Sequence, residues 1–114
     1  MEETLNLINV QKGDVTVLLL KGKLDSVLSP AVEKKAIELI NAGQVKLLLD
    51  LKEVSYINSA GLRSLLSIKK QLKAVKGKLM VCGLRTEVLE IMKICGFDHV
   101  LEFAKDQEEA LSQF

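Results

Sequence analysis

Short apolar runs alternate with helix-patterned segments along almost the whole chain, and this constrains the fold more than anything else in the sequence. Residues 5–10 and 15–21 are apolar-rich and are separated by Gln11-Lys12-Gly13-Asp14, the spacing of a β-hairpin. Ser29-Pro30 predicts a helix start, with Ser29 as cap and Pro30 at the first helical position. Val32, Ala36, Leu39 and Ile40 then recur at helical spacing, and Gly43 stands where a helix stop belongs. Val45 to Leu51 reads as a strand covered on both faces, closed by a polar loop after Asp50-Leu51. A second helix is predicted from Ser59, with Leu65, Ile68, Leu72 and Val75 on one face and Gly77 ending it. Lys78–Cys82 is a further strand. A third helix, capped by Thr86, carries Val88, Leu89, Met92 and Cys95 and stops at Gly96. Val100-Leu101 with Phe103 forms a last strand, and Asp106 with Glu109 makes a capping box for a final helix. The order is ββαβαβαβα. It predicts an α/β fold, a single domain over residues 1–114, with a mostly parallel sheet opened by an N-terminal hairpin and about four helices.

Composition excludes several function classes. A net charge of +1 offers no electrostatic footprint for nucleic acid or for an anionic membrane. Aromatic residues are only 4%, too few for a base-stacking platform. The one histidine, His99, lies between Gly96 and a strand, which suits a loop residue better than a general base. One histidine and two widely spaced cysteines cannot build a zinc site, so no metal and no cofactor is expected. Cys82 and Cys95 both sit among apolar residues and read as reduced core thiols. No apolar stretch approaches the length of a membrane span, and the acidic start lacks the features of a signal sequence; the expected compartment is the cytoplasm.

In alternating α/β folds, functional residues collect where strands end and helices begin. Here those segments are Gly22–Ser29, Lys52–Leu62 and Gly83–Thr86. None carries a dinucleotide fingerprint, a P-loop or a nucleophile elbow, so no catalytic set is expected. The most informative stretch runs from Asp50 to Arg63. Its Asn58-Ser59 opens a helix, and Ser59 has the chemistry of an N-cap. A helix start tolerates negative charge, so a phosphate there adds about −1.5 to −2 charge without harming the helix.

Asp50 to Leu66 resembles the signature of STAS-domain anti-sigma factor antagonists: Asp50, Val54, Tyr56-Ile57, Asn58-Ser59, Gly61-Leu62 and Leu65-Leu66 follow its pattern. Gly22-Lys23-Leu24-Asp25 and Gly83-Leu84 are similar to two further turns of that family. The resemblance implies a partner switch. The unmodified protein binds an anti-sigma factor that is also a serine kinase, and so frees the sigma factor. Phosphorylation at Ser59 blocks this binding, and a serine phosphatase restores it. The resemblance makes Ser59 the phosphoacceptor and Asp25 and Asn58 partner contacts. Ser55, Ser64 and Ser67 are rivals to Ser59, although Ser64 and Ser67 fall inside the predicted helix. The expected partner-binding set is Asp25, Asn58, Ser59, Gly61 and Leu62, in a chain expected to be a monomer when free and not an enzyme. One position departs: many members carry Asp where this chain has Asn58.

Gly61 would cost roughly 1 kcal/mol against Ala within a helix, so it needs a reason. The favoured one is clearance, letting a kinase or anti-sigma surface approach the Ser59 hydroxyl. The other is tight packing. From Ser59 to Lys78 there are six basic residues (Arg63, Lys69, Lys70, Lys73, Lys76 and Lys78) and no acids. They form a solvated face, or steer an acidic partner, or are compensated by Glu102, Asp106, Glu108 and Glu109. Two other functions compete with the partner switch. One is a STAS-like module of another assembly, such as a stress-signalling scaffold or a lipid-transport complex. The other is a small α/β enzyme or nucleotide binder, which lacks a matched acid/base set.

Overall fold

The computed structural model describes residues 6–114. Strand β1 (Leu7–Lys12) turns back into β2 (Val15–Leu24), and the two pair antiparallel around Gly13, whose φ is +64°. Then follow α1 (Leu28–Asn41), β3 (Lys46–Ile57), α2 (Ser59–Ala74), β4 (Lys78–Cys82), α3 (Thr86–Ile94), a 3-10 turn (Phe97–His99), β5 (Glu102–Ala104) and α4 (Gln107–Leu111). The five strands lie in chain order, β1-β2-β3-β4-β5, and every pairing after the hairpin is parallel. This is the ββαβαβαβα arrangement that the sequence predicts.

The sheet has two covered faces. Helices α1, α2 and α3 place Val32, Ala36, Leu39, Leu65, Ile68, Leu72, Val88 and Met92 against Leu18, Leu20, Leu47, Leu49 and Val81. On the other face Val15, Val17, Leu48, Met80 and Cys82 meet Ala110 of α4, with Leu111 and Phe114 packed alongside. Burial on both sides is what gives β3 and β4 their continuous apolar runs. Cys82 lies at the end of β4, where burial, with the Asp50 charge second, pushes its thiol up to about 12. Cys95 is exposed, so only one of the two cysteines is the core thiol that the sequence suggested.

Several boundaries differ from the sequence reading. The polar loop after Leu51 does not exist: β3 continues to Ile57. Asp50 is only the last β3 residue paired with β4. Beyond it, β3 pairs with β2 alone, through register shifts between Leu19 and Lys21 and between Gly22 and Lys23. These irregularities break strict alternation, so Val54 and Ile57 are buried while Lys52, Glu53, Ser55 and Tyr56 are exposed. Among the described residues, β1 pairing also ends at Leu20, so the ends of β2 and β3 project past the sheet as a two-stranded ribbon. The last strand begins at Glu102, not Val100, because a 3-10 turn occupies Phe97–His99 and leaves Val100 exposed.

The helix ends also shifted. At α1, Gly43 takes φ +85° and donates to the Ile40 carbonyl while Gln44 donates to Leu39, the two bonds of a Schellman stop. At α2 the left-handed residue is Lys76 (φ +59°), and Gly77 serves a different need. A Cβ at Gly77 would run into the Val45 carbonyl oxygen. Val75 is exposed at the helix end, off the predicted apolar face. Thr86 begins α3 without capping it. Asp106 does cap α4, accepting from the Glu109 amide at 2.9 Å.

Candidate functional site

Leu24 pairs with Ile57 where the ribbon ends, so Asp25 and Asn58 follow as neighbours at the carboxyl ends of adjacent parallel strands. Asp25 leads into α1 and Asn58 into α2. The crest they share is the place where the sequence reading put its candidate residues, and the fold brings Asp25, Asn58, Ser59, Gly61 and Leu62 to it.

Asn58 is the cap of α2. Its backbone is extended, and its Oδ1 accepts from the Gly61 amide at 3.2 Å. The sequence reading gave that task to Ser59. One residue further on, Ser59 is instead the first helical residue, and it is exposed. Among the described residues its hydroxyl has no hydrogen bond. The rival serines differ. Ser64 is buried and donates to the Gly61 carbonyl at 2.8 Å, and Ser67 donates to the Glu33 carboxylate at 2.8 Å. Ser55 is exposed on the ribbon, 3.5 Å from the Gly22 carbonyl.

Gly61 answers to packing, not clearance. The Asn58 amide donates to the Leu24 carbonyl at 3.3 Å, drawing α2 down onto the end of β2. A Cβ at Gly61 would collide with that same carbonyl oxygen, and would lie 2.8 Å from Ile57 Cγ1 and 3.0 Å from Leu24 Cγ. The missing side chain faces inward, beneath the site, and not over Ser59. Leu62, half-buried, packs its side chain against the main core.

Asp25 organises the neighbouring helix start. Its Oδ1 accepts from the Val27 amide at 3.0 Å and the Leu28 amide at 3.2 Å. These amide donors hold its carboxyl below the ordinary carboxylate value. The expected capping residue, Ser29, lies inside α1 with 3% exposure, and its Oγ is buried without a hydrogen-bond partner among the described residues. Pro30 accordingly stands third in the helix, not first.

Two features of the crest escaped the sequence reading. Val27 is 80% exposed and Tyr56 45% exposed, so two large apolar side chains face solvent on segments flanking the crest. The apolar Tyr56-Ile57 pair was the available signal, but the register shifts decide which of the two turns outward. A cleft of about 490 Å³ runs between α1 and α2, lined by Ser26, Ser29, Glu33, Ala60, Arg63 and Ser67 among others. The basic face is also less compensated than the sequence allowed. Lys78 lies 3.9 Å from Glu102, whereas Arg63, Lys69, Lys70, Lys73 and Lys76 form no ion pair among the described residues. No cluster of metal-ligating side chains and no helix long and apolar enough to cross a membrane occurs among the described residues.

The family model of the STAS domain matches residues 6–110. BtrV of Bordetella bronchiseptica, named as a candidate anti-sigma factor antagonist, is 34% identical over 98 residues, covering 86% of this chain and 84% of that one. A crystal structure from Thermotoga maritima, also described as a candidate anti-sigma factor antagonist, superposes with a TM-score of 0.90 at 18% identity, covering 99% of this chain and 97% of the other. The anti-sigma factor antagonist SpoIIAA shares the fold in its unphosphorylated form, with a TM-score of 0.75, 17% identity and 94% coverage of each chain. Its phosphorylated form, described as a Bacillus cell fate determinant, gives 0.74 at 19% identity, covering 94% of this chain and 97% of that one.

Proposed function

The chain belongs to the STAS domain family, and we propose that it acts as an anti-sigma factor antagonist controlled by phosphorylation at Ser59. The unphosphorylated form binds an anti-sigma factor that is also a serine kinase, and the sigma factor is released. Phosphorylation at Ser59 abolishes this binding, and a serine phosphatase restores it. The chain is then the kinase's substrate and not itself an enzyme, needs no cofactor, and is a cytoplasmic monomer when free of its partner.

The observation that carries this reading is the contrast among the serines near the crest. Ser59 is exposed at the first position of α2 with its hydroxyl uncommitted among the described residues, whereas Ser64 and Ser67 are tied to Gly61 and Glu33. The place is chemically permissive: Asn58 already caps the helix, so modifying Ser59 removes no cap. A phosphate there meets the positive end of the α2 dipole, which favours it. Against a partner surface the same phosphate meets desolvation and repulsion. The names of BtrV and SpoIIAA support the same assignment.

Asp25, Asn58, Ser59 and Leu62 then form the contact surface, with Val27 and Tyr56 as exposed apolar additions. Gly61 contributes from beneath by seating α2. Asn58, where many family members have Asp, supplies the cap without a charge.

Calorimetry against the host's candidate anti-sigma kinases tests the proposal. Unmodified protein and Ser59→Ala are expected to bind alike, and protein phosphorylated at Ser59 to bind far more weakly. Equal affinity of the phosphorylated and unphosphorylated forms would refute the switch.

A further inference from the structure

Ser59 and Arg63 stand four residues apart on α2, and both are exposed. Residues at that spacing lie one above the other on a helix surface, with Cβ atoms about 5–6 Å apart. Arg63 forms no ion pair among the described residues. The neighbouring acids are engaged elsewhere and neither pairs with Arg63. Glu33, which lines the same cleft, accepts the Ser67 hydroxyl at 2.8 Å, and Asp25 accepts two backbone amides of the α1 start through Oδ1. The guanidinium is therefore an uncommitted cation one helical turn from the uncommitted hydroxyl.

We propose that Arg63 is a positioning residue for the modified protein: its guanidinium clamps the phosphate once Ser59 is phosphorylated. The proposal rests on the phosphoserine reading above. An anion placed on the N-terminal side of its i+4 cation is the favoured orientation on a helix. The planar fork of arginine matches phosphate oxygens two at a time, which a lysine cannot do. Lys70, on the same outward face, is eleven positions from Ser59, or about 16 Å of helix rise, and lies out of reach.

The clamp gives phosphorylation a second effect. It adds an anion and at the same time withdraws the one cation of the α2 first turns from the surface. A partner that docks on the unmodified crest loses both neutrality at Ser59 and access to Arg63. The clamp also ties the modified first turn together, so the modified helix start stays folded and the change is one of surface alone.

Phosphoserine installed at position 59 by genetic encoding tests this without any kinase. Titration by ³¹P NMR reads the second ionisation of the phosphate, ordinarily near pH 6. It is expected roughly 0.2–0.4 pH unit lower in the otherwise unchanged protein than in Arg63→Gln, the scale of one exposed cation at this spacing. Lys70→Gln is expected to match the unchanged protein. Melting temperatures complete the cycle: Arg63→Gln should cost the phosphorylated form more than the unphosphorylated form. An identical titration with and without Arg63, or an equal change in Lys70→Gln, would overturn the clamp. Partner binding by the same phosphoproteins separates the two readings. Lost binding with an unmoved titration condemns the clamp and keeps the switch. A shifted titration with undiminished binding keeps the clamp and condemns the switch.

Discussion

Two serines occupy the first turns of two neighbouring helices, and the fold treats them in opposite ways. Ser29 in α1 is 3% exposed, its hydroxyl buried with no partner among the described residues, whereas Ser59 in α2 is exposed. Both follow a strand that ends at the same edge of the sheet, and both have the local chemistry of a cap. Neither is one. Asp25 serves α1 from two and three residues before the amides it accepts, so the helix opens at Leu28 and Ser29 turns inward as its second residue. Asn58 serves α2 from the adjacent position, and Ser59 turns outward as its first. The difference teaches that the spacing between the residue that accepts the first amides and the helix it leads into sets the rotation of the first turn. That rotation decides whether a hydroxyl is interior or available to an enzyme.

Kinase labelling should break this comparison most sharply if it is wrong. With the cognate kinase, mass spectrometry is expected to find phosphate on Ser59 and none on Ser29, and Ser59→Ala should lose essentially all labelling. Phosphate recovered from Ser29, or undiminished labelling of Ser59→Ala, would show that exposure does not govern the choice.

Gly61→Ala is expected next in size. The added Cβ meets backbone, the Leu24 carbonyl oxygen, which cannot swing aside as a side-chain tip does. Overpacking of this kind costs about 1–3 kcal/mol, and a lower midpoint in chemical denaturation would record it. An unchanged midpoint would return Gly61 to the clearance reading.

Ser29→Ala should move stability the other way. It removes a buried hydroxyl that has no hydrogen-bond partner among the described residues, and leaves a side chain of nearly the same shape. A gain of up to about 1 kcal/mol is expected. A clear loss would reveal a bond to the Ser29 hydroxyl.

The smallest effect separates the two helix starts by acid. The Asp25 carboxyl is held below its ordinary value of 3.8 by the Val27 and Leu28 amides. Its contribution is therefore complete above that ordinary value and is lost as pH falls through the lower folded value. The Asn58 amide does not titrate. Between pH 5 and pH 2, on the order of the carboxylate range, the Val27 and Leu28 amide signals should follow the protonation of Asp25, while the Gly61 amide should not respond to it. Parallel movement of all three would mean that the two helix starts melt as one.

The sequence displayed the element order plainly because β3 and β4 are buried on both faces, and the helices carry one apolar stripe each. The Asp50–Leu66 motif located the crest for a related reason: Val54, Ile57 and Leu65, three of its apolar positions, are core positions, although Tyr56 turns outward. What stayed hidden was one-residue geometry. Asn58 and Ser59 are both good caps, and only the extended backbone of Asn58 and the descent of α2 onto Leu24 choose between them. The ribbon was hidden because Lys52, Glu53 and Ser55 look like a loop. Two register shifts in the pairing with β2 let these residues face solvent within a strand. Lys76 as the left-handed residue ending α2 could not be anticipated while Gly77 stood beside it.

The strand order β1-β2-β3-β4-β5 repeats the order of the chain. Each newly synthesised strand therefore has its sheet neighbour already made, and no strand must wait for a later one to be inserted between it and its predecessor. Loop closure in this topology spans one helix at a time, which keeps its entropic cost smaller than if a strand had to be inserted between two earlier ones. The residues of the crest all lie before β4 in the chain. The crest is thus encoded entirely by β2, β3 and the starts of α1 and α2, upstream of β4, β5 and the last helix.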